Sequence, residues 1–75
     1  MWRVIVYCSA DSWRVHAKTF NAIAAKYQTK SLSSKKMKDD ERRIMEFQVE
    51  DVDGAESFQD ECMTIEGFTA RFESL

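Results

Sequence analysis

Most of the reactive side-chain chemistry open to this chain lies in three residues: Cys8, Cys62 and the single histidine, His16. A zinc site needs thiolates and imidazoles in closely spaced pairs, and these three stand far apart along the chain. Covalent catalysis needs a nucleophile held against a base, and His16 has no Ser or Cys at a diagnostic spacing. Free cysteines are commonly buried, so Cys8 and Cys62 read as small apolar core residues that stay reduced. Carboxylates are plentiful, and Glu46, Glu50, Asp53 and Asp60 are the candidates for paired acid–base work. Driving two carboxylate pKa values apart takes burial, and nothing in the pattern buries these four. A solvated acidic surface is the expectation. No metal, no cofactor and no enzymatic activity is read from these residues.

The charged residues say more through their distribution. The formal net charge is −2. Up to Lys38 there are eight basic residues (Arg3, Arg14, Lys18, Lys26, Lys30, Lys35, Lys36, Lys38) against one acid, Asp11. From Asp39 onward there are three arginines against twelve acids. Such a split between halves points to a charged partner. The chain of 75 residues is expected to form one domain over 1–75 with a modest core. With no signal-peptide layout and no apolar run near membrane length, it is expected to be cytoplasmic, with no membrane partner.

Elements must position these groups, and the clearest is the run Arg3 to Cys8. Its branched and aromatic residues suit a strand, with Trp2, Val4, Val6 and Cys8 on one face and Arg3, Ile5 and Tyr7 on the other. Large apolar groups on both faces predict an inner strand. Asp11 or Ser12 is a candidate cap for a helix carrying the stripe Trp13, Ala17, Phe20, Ile23 or Ala24, and Tyr27. Lys30 to Lys38 reads as a lysine-protected edge strand, in which Leu32 and Met37 cannot share a face without a bulge. A hairpin loop is expected at Asp39-Asp40-Glu41. Arg43 to Asp51 alternates, with Met45, Phe47 and Val49 inward and Ile44, Glu46, Gln48 and Glu50 outward. Asp53 with Glu56 three residues on resembles a capping box for a second helix with the stripe Ala55, Phe58, Cys62 and Ile65. Gly67 is placed to end that helix, and Phe68, Ala70 and Phe72 alternate in a last strand.

Strand, helix, strand, strand, helix, strand resembles the α+β ferredoxin-like plait: a four-stranded antiparallel sheet in order 4-1-3-2 with both helices on one face. That plait serves many unrelated activities, so the resemblance implies an architecture only. RNA-recognition modules share the order but present third-strand aromatics on the open face. Here Phe47 turns to the core and Glu46, Gln48 and Glu50 face outward, leaving Tyr7 as the one stacking platform. Amino-acid-binding domains of the ACT type resemble this chain in size and plait. They carry a glycine in the turn after the first strand, where this chain has Ser9-Ala10-Asp11-Ser12. Acylphosphatases need an arginine-bearing loop there, which is also missing.

The expected function is a small non-enzymatic adaptor, regulator or inhibitor, of a size common among phage-encoded proteins, that docks on a protein partner. The expected contacts are Ile5, Tyr7 and Ile44 on the open sheet face, and Glu56, Asp60 and Glu61 on the second helix. The alternative is nucleic-acid binding through the basic edge and first helix, using Arg14, Lys18, Lys30, Lys35, Lys36 and Lys38. A third option is homodimerisation by sheet faces or edges, which would bury Ile5 and Tyr7 and is compatible with the first reading.

Overall fold

The computed structural model describes residues 1–36 and 42–75. Six elements follow the expected order: β1 (Trp2–Cys8), α1 (Ala10–Lys26), β2 (Lys30–Lys36), β3 (Arg43–Val49), α2 (Val52–Met63) and β4 (Phe68–Ser74). The strands form one antiparallel sheet in the order β2-β3-β1-β4. This is the ferredoxin-like plait, with β1 inside as its two apolar faces require. Both helices lie on one face, and the other face is bare of helix.

Between helices and sheet sits an apolar core. Val4, Val6, Phe20, Ala55, Phe58 and Cys62 are essentially inaccessible, with Cys8, Met45, Val49, Ile65 and Phe68 close behind. Phe20 is its hub, packing within about 6 Å (ring centroid to centroid) of Trp13, Phe47, Phe58 and Phe68. Aromatic rings in such offset and edge contacts add to the area they bury. No buried side-chain polar atom among the described residues lacks a partner.

Four local readings need correction. Ser9, not Asp11 or Ser12, caps α1, its hydroxyl accepting from the Ser12 backbone N–H at 3.1 Å. The cap therefore falls on the first polar residue after β1, and the helix starts a turn earlier than the apolar stripe suggests. Likewise Asp51, not Asp53, caps α2, taking the Gly54 N–H at 2.6 Å. Strand β3 ends at Val49, so Glu50 lies outside the sheet. The fourth concerns Gly67: α2 ends at Met63, and the left-handed Gly67 (φ 83°) serves the turn into β4 instead.

In β2 the pairing passes from Ser31↔Phe47 to Ser33↔Glu46, so Leu32 is the extra residue of a bulge. The expected hairpin loop and Met37 lie outside the described residues.

Candidate functional site

The strand registers place twelve residues on the open face in three rows. The rows are Lys30–Gln48–Arg3–Glu73, Ser33–Glu46–Ile5–Arg71 and Lys35–Ile44–Tyr7–Thr69. Arg3, in the first row, ties three strands of this grid together. Its Nε donates to Glu73 Oε1 at 3.0 Å, and its NH1 pairs with Glu46 Oε1 at 3.2 Å. Ser33 Oγ adds a bond to Glu46 Oε2 at 2.9 Å. One guanidinium thus spans β3, β1 and β4, and its bond to Glu73 raises its already high pKa.

This clamp changes the electrostatics read from alternation alone. The two carboxylates of the face, Glu46 and Glu73, are both held by Arg3, and Glu50 has left the sheet. Lys30, Lys35 and Arg71 have no carboxylate partner among the described residues. The open face is net positive, where the pattern implied an acidic one.

Ile5 sits between Glu46 and Arg71 in the register and is only 6% exposed. It supports the face from below and offers little to a partner. Tyr7 and Ile44 pair directly and are half-buried, with Lys35 and Thr69 completing their row. A partly exposed aromatic–aliphatic pair with Lys35 in its row and Arg71 in the next is what this end of the face presents.

On α2, Glu56 and Asp60 are exposed as expected. Glu61 is not a surface group in the same sense. It accepts from Lys26 Nζ at 2.7 Å and from the Tyr27 hydroxyl, tying α2 to the end of α1. The Lys26 bond, then the Tyr27 bond, holds its carboxyl below the usual carboxylate range. The same carboxylate raises the pKa of Lys26 and of Tyr27.

The basic residues fall in two groups. Lys30 and Lys35 are exposed on the open face, whereas Lys36 pairs in register with Arg43 on the helix side. There a groove of about 340 Å³ is lined by Ala10, Trp13, Arg14, Ala17, Lys36 and Arg43. The Arg43 guanidinium stacks over Trp13, 4.5 Å from the ring centroid. Arg14 pairs with Asp11 at 3.4 Å, and Lys18 is exposed along the same helix. Lys38 lies outside the described residues. Arg43 was absent from the sequence-derived set, though its alternation with Met45 and Phe47 already places it on the helix side.

His16 is half-buried beside Asp11, Ser12, Val15 and Glu66 in a shallow groove. Cys8 and Cys62 are buried and free. Burial pushes the Cys62 thiol up to about 12, with Glu61 adding to the effect. Burial raises Cys8 too, against an opposing pull from Arg43.

A plait with a bare, charged sheet face defines a class of fold and no single activity. No family model and no curated protein matches the chain in sequence. Among solved structures it is similar to the ACT domain from the GTP pyrophosphokinase of Chlorobium tepidum. That match has a TM-score of 0.68 and 11% identity, covering 96% of this chain and 95% of that one. It is also similar to the C-terminal domain of the MgtC protein from Mycobacterium tuberculosis. There the TM-score is 0.64 and the identity 12%, over 96% of this chain and 83% of that one. At such identities the likeness is one of fold.

Proposed function

We propose that this chain is a small non-enzymatic binding module, regulatory in role, that docks through its open sheet face on an acidic surface of a protein partner. The observation that carries this reading is the Arg3 clamp. By holding Glu46 and Glu73 it leaves Tyr7 and Ile44 as an apolar pair in one end row of the face, with Lys35 in the same row, Arg71 one row away and Lys30 at the far end. An aromatic anchor on a face of unpaired cations is an arrangement in which the anchor supplies affinity and the charges supply encounter rate. The fold-level likeness to an ACT domain supports a regulatory role. Glu56 and Asp60 on α2 remain a second, acidic contact surface.

The test uses the partner captured from the source cells by a photo-reactive residue at position 7. Reversing Lys30 and Lys35 to Glu is expected to slow association steeply at low salt, and Tyr7→Ala to speed dissociation. Reversing Glu56 and Asp60 to Lys tests the helix surface in the same assay. Partner binding that ignores the Lys30, Lys35 and Tyr7 changes and responds only to Glu56 and Asp60 would move the interface to α2.

One observation favours a second reading. The Trp13–Arg43 stack, with Arg14 and Lys36 lining the same groove, joins charge to an aromatic ring as single-stranded nucleic-acid sites do. On this reading neutralising Arg14, Arg43, Lys36 and Lys38 weakens binding to any sequence and flattens its salt dependence. Absence of any gel shift with single-stranded DNA or RNA at low salt removes it.

A further inference from the structure

The two edges of the sheet are not equally guarded. Strand β2 carries Lys30, Lys35 and Lys36 and a bulge at Leu32, devices that discourage a further strand from adding. Strand β4 has none of them. It pairs with β1 in unbroken register from Phe68 to Ser74, and it contains no lysine, proline or bulge. A regular seven-residue edge of this kind invites another strand.

The phase of its backbone is set. Leu75 N–H donates to Met1 C=O at 3.2 Å, extending the Trp2↔Ser74 register by one residue. Hydrogen-bonded pairs alternate in an antiparallel ladder, so Glu73, Arg71 and Thr69 also aim their backbone groups at β1. Those of Ala70, Phe72 and Ser74 point outward from the sheet. A second β4 laid antiparallel, with Phe72 opposite its own copy, would use these groups. That register sets Ala70 opposite Ser74 and, on the open face, Arg71 opposite Glu73 at both ends of a two-fold axis. Shifting the centre to Arg71 would instead set Arg71 against itself. Of these two registers the first is self-complementary in both backbone and charge.

The layer above agrees. Helix α2 packs on β4 and β1, and its Glu61 flank is tied to α1. Val52, Glu56, Gln59 and Met63 share one helical stripe on the opposite flank, the side of α2 away from α1. Val52 and Met63 are 40% and 46% exposed, and Leu75 at the end of β4 is 56% exposed. The exposed apolar groups of this half of the molecule thus border the unguarded edge.

We propose that two copies of this chain pair through β4, about Phe72, into one continuous eight-stranded antiparallel sheet, with Arg71 and Glu73 bridging reciprocally across the axis. Wild-type protein should sediment as a dimer. Arg71→Glu is expected to raise the dissociation constant roughly thirtyfold, by turning two attractive cross-strand pairs repulsive. Glu73→Arg should do likewise, and an equal mixture of the two variants should recover a dimer, because each then faces opposite charges. Ala70→Pro removes an outward N–H without touching the β1 ladder, so it should give a folded monomer by circular dichroism and sedimentation. A monomeric wild type at about 1 mM, well above the affinities of stable dimers, overturns the proposal. So does a dimer that survives Ala70→Pro, or one broken only by proline in β2. Monomeric Ala70→Pro that still binds the captured partner leaves the open-face reading intact, so the two readings fail separately.

Discussion

At the scale of single residues, the least replaceable position is a glycine. Gly67 holds φ at 83°, and a Cβ built there would lie 1.9 Å from Ser12 Oγ and 2.8 Å from Ser12 Cβ. Rotation can take the Ser12 hydroxyl aside, but its Cβ is fixed by the backbone of the first turn of α1 and keeps the clash. Gly67→Ala should therefore cost at least about 2 kcal/mol, read by chemical denaturation, from a left-handed alanine plus the clash. The cysteines make a different prediction. With both thiols buried and both pKa values raised, a thiol reagent at neutral pH should label neither at a measurable rate in the native state. Labelling should become fast for both only in denaturant. Rapid native modification of Cys62 would show that the Ala55–Phe58–Cys62 stripe is not held against the sheet.

At the scale of elements, the caps separate what alternation conveys from what it does not. Asp51→Ala should destabilise by about 1 kcal/mol, whereas Asp53→Ala should leave the unfolding midpoint nearly unchanged. Hydrophobic period predicted the faces of β1, β3 and β4 and both helical stripes, because burial of one face is a long-range demand written into every second or third residue. It mislaid the caps because several adjacent polar residues satisfy the same local pattern and only backbone geometry chooses among them. The site was legible in part for a related reason. Tyr7 and Ile44 follow from parity, but the net charge of the face depends on Arg3 reaching Glu46 and Glu73 on two neighbouring strands at once. Period along one strand carries no information about such lateral reach. The tie between helices was equally hidden, since Lys26, Tyr27 and Glu61 meet only through tertiary packing. It has a pH signature. Glu61 has a depressed pKa when folded, so its contribution is present above the ordinary carboxylate range and is lost as pH falls through the depressed value. Thermal melts of Glu61→Gln should fall below wild type at neutral pH, and the two should converge in acid.

At the scale of the whole molecule, the opposed charges of the sequence become opposed surfaces. Basic groups occupy the open sheet face, β2 and the outer side of α1, while α2 contains acids and no Lys or Arg. Among the described residues, no helix is long and apolar enough to cross a membrane. A molecule polarised in this way orients in the field of a charged partner before contact, and salt should weaken that guidance over about 10 Å at 0.1 M. The pairing of β1 with β4 has a mechanical consequence as well. Trp2 faces Ser74, and Leu75 is bonded to Met1, so residues 1 and 75 leave the sheet side by side. Tension applied between them loads the β1–β4 ladder one rung at a time, starting from its open end. Unzipping of that kind yields at low force, because each bond breaks alone instead of sharing the load with its neighbours. The Arg3–Glu73 pair is the second rung, and it should register as an early step in a force–extension trace. Replacing Arg3 with Met should erase that step while the later rungs keep their force.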